Sequence, residues 1–343
     1  MKTDRKEIEA KLQKAFIKSD FGHDIHYAVL KQAVTEGASA KGAVMITTGF
    51  AGTIKSSIET IAFYYEQGYD VYIMEWAGHG ASGLLDHKRA ASTKGCEIYV
   101  ADMKRCFEQI TVAPGQKKIL STHSMGGLVA LHYLATHPKD FDQAILVNPL
   151  MNGAVQTGTP SFKGKIGRAF GRALLKGLVQ AGLADKKIPS ARTLFLKGLI
   201  ADEFNLSASK ADLKKLDKIY ERYKDQFYLD EISFGLIERN LAALENLRRE
   251  NILRKIETPL MIALGLEDYL VSNKAALLAE SEFKKVSYVL VPEAGHRLWG
   301  QTGEGERLFK SAVQEFLAHA KLARAIYAPA PLVEKILHKP PKL

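Results

Sequence analysis

The run Ile119-Leu-Ser-Thr-His-Ser124-Met-Gly-Gly-Leu-Val-Ala carries an apolar strand pattern straight into a serine and then into a helical pattern. A serine at such an elbow is forced onto a sharp, strained turn that exposes its hydroxyl and needs small neighbours. Gly126 and Gly127 meet that need on the helix side, while Thr122 stands where G-x-S-x-G has its first glycine. A serine hydroxyl is a poor nucleophile at neutral pH. It needs a base, and the base needs an acid that fixes its tautomer and stabilises its charged form. After a strand–serine–helix elbow these partners follow in the order Ser, Asp/Glu, His, each behind a later strand. The strand pattern Pro259–Leu264 runs into Gly265-Leu-Glu-Asp268, and the next one, from Tyr288, runs through Pro-Glu-Ala to Gly295-His296. The expected set is therefore Ser124 as nucleophile, His296 as base and Asp268 as acid. Glu267 is the rival acid, and Asn148, after the preceding strand, cannot serve as one. Acyl transfer also needs two donors for the developing oxyanion. The backbone N–H of Met125, next after the serine, and that of Phe50, in the loop Gly49-Phe50-Ala-Gly52, are the candidates. No Cys/His pair stands at metal-ligand spacing and no Gly-rich nucleotide loop is legible, so no metal and no cofactor is expected.

These groups need a scaffold. Phe16–Ser19 and Ile25–Leu30 flank a turn-like Asp20–Asp24 and read as a hairpin. Short apolar runs follow at Gly42–Thr47, Asp70–Glu75, Lys118–Thr122, Gln143–Asn148, Pro259–Leu264 and Val286–Val291. Several are apolar at successive positions, as strands buried on both faces of a parallel sheet are. Amphipathic stretches alternate with them: Ser57–Gln67, Cys96–Ile110, Met125–Thr136, Asn273–Glu280 and Glu304–Ala318. That alternation predicts an α/β fold with a mostly parallel, doubly wound sheet. It breaks at about Met151 and resumes at about Ile256, with a nearly all-helical pattern from Phe162 to Leu247 between. The expected organisation is a core in two parts, 1–150 and 251–320, a helical cap at 151–250 and a basic, Pro-rich tail at 321–343.

The segments Gly49-Phe50, Glu75-Trp-Ala-Gly-His-Gly-Ala-Ser82, His123-Ser-Met-Gly-Gly127, Gly265-Leu-Glu-Asp268 and Gly295-His296, in this order, resemble α/β-hydrolases. More narrowly they are similar to the branch that holds bacterial lysophospholipases and monoacylglycerol lipases. The resemblance spans roughly Phe16–Ala318 and implies the α/β-hydrolase fold with an inserted helical cap and a Ser-Asp-His triad. The Glu75–Ser82 segment carries no chemistry in that family and shapes a loop near the pocket. Thr48 stands where the family commonly has a His that braces the oxyanion loop, and Thr122 where it has Gly or Ala.

The chain has 343 residues and a formal net charge of +10, unevenly spread. Residues 1–150 carry +1, 151–200 carry +8, 201–319 carry −3 and 320–343 carry +4. A nucleic-acid domain would be basic in its body, and this body is not. On a helical wheel, Phe162–Gln180 sets Lys165, Arg168, Arg172 and Lys176 opposite an apolar face, with Lys163 at its edge. This is a basic amphipathic helix that can contact anionic lipid. Apolar runs fall short of a membrane span, Met1–Lys14 lacks the apolar core of a secretory signal, and the only cysteines, Cys96 and Cys106, lie ~15 Å apart along one helix. The expected setting is cytoplasmic, with peripheral contact at the inner face of the membrane. The expected activity is hydrolysis of a carboxylic ester of an amphipathic lipid, most of all a lysophospholipid. Monoacylglycerol lipase and general carboxylesterase are the alternatives, with an acyltransferase or aminopeptidase behind them.

Overall fold

The computed structural model describes residues 4–33, 39–82, 95–151, 172–189, 217–218, 232–268, 270–301, 303–322 and 326–327. Nine strands among them form one sheet: β1 (Gln13–Lys18), β2 (Asp24–Leu30), β3 (Gly42–Thr47), β4 (Asp70–Met74), β5 (Lys117–His123), β6 (Gln143–Val147), β7 (Leu260–Gly265), β8 (Val286–Val291) and β9 (Ile326–Tyr327). Their order is β1-β2-β4-β3-β5-β6-β7-β8-β9. The two pairings of β2 are antiparallel. From β4 to β9 every pairing is parallel.

Residue type explains who sits where. β3, β4, β6 and β7 are buried at every position, as their unbroken apolar runs require. The helix α4 (Met125–Thr136) is apolar nearly all round and is accordingly buried on almost every side. It shares one core with α3 (Cys96–Phe107). The second core, on the opposite sheet face, is closed by α1 (Arg5–Lys11), α2 (Ile58–Glu66) and the helix Glu304–His319, through Ile8, Ile61, Tyr64, Phe309 and Phe316. Helices on both faces make the sheet doubly wound.

The elements outside the sequence expectation include α1 and β9. α1 is seven residues long and buries only Ile8, too little apolar pattern to stand out. β9 is two residues that pair with Tyr288 and Val289 of β8, so the sheet extends into the span assigned to the tail. Of the expected cap, the described part holds a helical turn at 172–178, a π turn at Val179–Leu183 and the helix Phe234–Arg249. That helix is capped by Ser233, whose hydroxyl accepts from Leu236 N at 3.2 Å. Lys163, Lys165 and Arg168 lie outside the described residues.

The strand order reverses direction between β3 and β5. β4 lies on one side of β3 and β5 on the other, which leaves a crevice at the C-terminal ends of β3 and β5. Thr47 of β3 pairs with Thr122 of β5, so the loops that follow emerge side by side.

Candidate active site

Ser124 opens α4 directly from the end of β5, with φ 53° and ψ −118°. A non-glycine residue is strained there, and the elbow that holds it is tight. Its N–H donates to Val147 O at 3.0 Å, and its carbonyl accepts from Gly127 N and Leu150 N, each at 2.9 Å. A Cβ on Gly126 would come within 2.6 Å of Thr48 O, and one on Gly127 within 2.6 Å of the Pro149 Cβ. The two glycines after the serine are thus required by the backbones that press against the turn. Thr122, in place of the usual first glycine, is buried in β5 without displacing the elbow.

Asp268 and His296 leave β7 and β8, whose ends are in register at Gly265 and Val291. His296 Nδ1 lies 2.7 Å from Asp268 Oδ2, and both side chains are buried. A carboxylate accepts, so Nδ1 carries the proton and Nε2 is left with its lone pair. The other carboxylate oxygen, Oδ1, accepts from Leu270 N at 2.7 Å and Val271 N at 3.0 Å, which fixes the plane of the acid. Glu267, the rival acid, is exposed. The structure therefore brings Asp268 and His296 together, and it sets them beside the elbow through His123. That ring lies 4.7 Å from the His296 ring, and its Nε2 donates to the His296 carbonyl at 2.9 Å.

The loop after β3 closes against the same elbow. A Cβ on Gly49 would come within 3.0 Å of the Ser124 Cβ, so only glycine allows the approach that places Phe50 next to the serine. Gly52 N donates to Gly49 O at 3.0 Å, and the Phe50 ring meets His79 edge-on at 5.1 Å. Met125 is the first residue of α4, where an N–H has no partner within the helix. Thr48 does not leave the loop loose. Its carbonyl accepts from Trp76 Nε1 at 2.8 Å and its hydroxyl donates to Gly52 O at 3.3 Å. A cavity of about 90 Å³ lies against Gly49, Phe50, His123 and His296.

The Glu75 segment does the structural work expected of it. Glu75 accepts from Ile54 N at 2.8 Å, Ala81 N at 2.7 Å and the ring of His26 at 2.8 Å. Burial pushes its carboxyl up, and the His26 and backbone hydrogen bonds more than offset that, so it stays below the usual carboxylate range. His26 has no recognisable partner in the sequence because its partner is 49 residues away. The cysteines are free, and burial pushes the Cys96 thiol up to about 12, so it is inert as a nucleophile.

Two residues at the site have roles that the sequence reading did not assign. Arg297 donates to Ser56 O at 2.5 Å and pins the His296 loop to the turn before α2. Asn148 is fully buried and contacts the loops of both Asp268 and His296. Its signal was available: an amide at the end of an all-apolar strand must find hydrogen-bond partners once buried.

His123 carries a pH prediction. Burial, and then the neighbouring His296 and Arg297 charges, lower its pKa from 6.5 to about 3. Between those values the unfolded chain binds a proton that the folded one does not. Stability is therefore full above pH 6.5 and declines as pH falls through that window. His123→Gln removes the titrating group and keeps a donor. Its thermal midpoint should fall less than that of the wild type, by roughly a few degrees, between pH 7.5 and 4.5. Parallel declines would refute this.

Among the described residues no helix is long and apolar enough to cross a membrane, and no cluster of three His, Cys, Asp or Glu side chains could hold a metal. A family model described as "Serine aminopeptidase, S33" matches residues 38–303. The chain is 24% identical over 290 residues to the "Probable lysophospholipase L2" of Haemophilus influenzae, covering 80% of this chain and 83% of that one. Among solved structures, a soluble variant of the Saccharomyces cerevisiae monoglyceride lipase superposes with a TM-score of 0.68 at 16% identity, covering 91% of this chain and 96% of the other. A Bacillus coagulans carboxyl esterase superposes with a TM-score of 0.66 at 16% identity, over 90% and 98%. At those identities the structural likeness speaks for the fold.

Proposed function

The chain belongs to the hydrolase family described as serine aminopeptidase, S33, and from that premise we propose that it is a serine esterase acting on lysophospholipids. One observation carries the chemistry: Asp268 holds His296 through Nδ1 at 2.7 Å, next to a serine on a strained elbow. Ser124 Oγ attacks the acyl carbonyl while His296 Nε2 takes its proton. The backbone N–H groups of Phe50 and Met125 hold the oxyanion. The tetrahedral intermediate then collapses to an acyl-enzyme, and His296 returns the proton to the departing glycerol oxygen. Water, deprotonated by the same ring, attacks the acyl-enzyme, releasing the fatty acid and restoring Ser124. Asp268 stabilises the imidazolium in both half-reactions. The lysophospholipid assignment takes its support from the relative of that name, which matches over most of both chains.

The basic cap supports a place for the reaction, the anionic inner face of the membrane, reached from the cytoplasm. In the described turn at 172–178, Leu174 is 55% exposed, and Lys176, on the opposite side of the wheel, is exposed too. Arg172 is engaged with Glu245 at 2.6 Å, so its charge is partly spoken for. Lys163, Lys165 and Arg168 complete the basic set in sequence. Each Lys or Arg near an anionic surface contributes about 1 kcal/mol, less with salt.

A substrate panel tests both parts. With lysophosphatidylcholine, monoolein, p-nitrophenyl butyrate and a proline p-nitroanilide, the highest kcat/KM should be on lysophosphatidylcholine. Exclusive cleavage of the anilide would overturn the esterase reading, and preference for monoolein the headgroup. Vesicles with anionic lipid should bind the protein at low salt and release it as salt rises. Binding that ignores salt would dismiss the basic surface.

A further inference from the structure

We propose that Asn148 is a positioning residue that clamps the Asp268 loop to the His296 loop, so that the acid and base are aligned by a side chain from a third strand. The proposal rests on the Ser-Asp-His reading above. Asn148 ends β6 with φ 42°, and its N–H donates to Ala263 O at 2.8 Å. That left-handed turn aims the side-chain amide along the ends of the next two strands. Oδ1 accepts from Gly265 N at 2.8 Å, the last residue of β7 and three before Asp268. Nδ2 donates to His296 O at 2.7 Å and to Gly295 O at 3.1 Å, in the loop after β8. β6 pairs with β7 and not with β8, so this contact reaches past its neighbour.

All three hydrogen bonds are directional, and Asn148 is fully buried. The His296 carbonyl receives a second donor, His123 Nε2 at 2.9 Å, from the residue before the nucleophile. One carbonyl oxygen is thereby tied to β5 and β6 together. The backbone that carries the base is fixed against the elbow that carries Ser124, and against the strand end that carries Asp268. The Asp268–His296 hydrogen bond alone sets a distance. The Asn148 bridge sets the relative position of the two loops, which a rotating carboxylate and ring cannot do for themselves. Sub-ångström displacement at a reacting centre costs rate more than binding, on the order of 10²-fold for about 1 Å.

The test uses the full chain with Asn148→Ala, Asn148→Ser and, as blank, Ser124→Ala. Serine keeps a hydroxyl near the Cγ position and leaves a smaller void than alanine. p-Nitrophenyl butyrate turnover, the rate of fluorophosphonate labelling and the thermal midpoint are read for each. The expected result for Asn148→Ala is a fall of about 10²-fold in kcat and in labelling rate, with KM within about twofold. Asn148→Ser should fall between alanine and wild type. A folded Asn148→Ala with kcat within threefold of wild type overturns the proposal, as does an increase confined to KM. If Asn148→Ala does not fold, Asn148→Ser decides. An unfolded serine variant also overturns it, because Asn148 would then be a folding residue and not a positioning one. Activity retained by Ser124→Ala would instead sink the nucleophile assignment, and no Asn148 result can mimic that.

Discussion

Ser124→Ala should lower kcat for ester hydrolysis by about 10⁴- to 10⁶-fold, and Asp268→Asn by about 10⁴-fold. The two losses have different origins. Without the Ser124 hydroxyl no acyl-enzyme forms, and the variant does not react with a fluorophosphonate. With asparagine at 268 the nucleophile remains. An amide, however, can turn its NH₂ toward His296 Nδ1, which drives the imidazole proton to Nε2. That nitrogen then faces Ser124 as a donor and cannot accept its proton. The carboxylate sits 2.7 Å from Nδ1 and is held in plane by two backbone N–H groups, so it presents a fixed acceptor to that nitrogen. Steady-state kinetics on p-nitrophenyl butyrate and labelling rates separate the cases. Ser124→Ala keeping more than about one-hundredth of wild-type kcat would remove Ser124 from the mechanism. Asp268→Asn within tenfold of wild type would remove Asp268.

Gly265→Ala has a large expected effect on stability. Gly265 ends β7, and a Cβ there would come 2.6 Å from Ala294 O and closer still to Gly295 O. Both obstacles are backbone in the loop that carries His296, so no rotamer change relieves the clash. Overpacking of this kind costs roughly 1–3 kcal/mol, and a rigid obstacle belongs at the upper end. In a chain this size the thermal midpoint should drop by about 3–4 °C. Activity should fall further than unfolding explains, because the β7 and β8 loops must part where Asn148 joins them. Gly177→Ala is the matched control. It lies in the helical turn at 172–178 with nothing within 4 Å of the added Cβ, and it should be neutral or stabilising by up to ~1 kcal/mol. Equal midpoints for Gly265→Ala and wild type would show that the two loops separate freely.

The sequence reading reached most of the strands and helices within a residue or two, because each rests on its own apolar period. It placed β3 and β6 from the apolar runs Val44–Ile46 and Ala144–Val147 and α4 from its elbow serine and glycines. It missed α1 and β9 for the complementary reason. One Ile in seven residues, and two residues in all, carry no period of their own; both are held by what they pack or pair with.

The candidate site divides along the same line. By itself the sequence singled out the elbow at Ser124, Asp268 and His296 in that order behind later strands, and the small residues at Gly49, Gly126 and Gly127. Each of these follows from sterics or chemistry within a few residues of chain. Only the tertiary structure decided that β6 lies between the elbow strand and the acid strand, and therefore that Asn148 joins Gly265 to His296 from 117 and 148 residues away. It likewise decided that His26 pairs with Glu75, and that Trp76 holds the Thr48 carbonyl where the family commonly has a bracing His. A hydrogen bond's value depends on where both partners are, and strand order is a property of the whole packed sheet. No local window of sequence contains it.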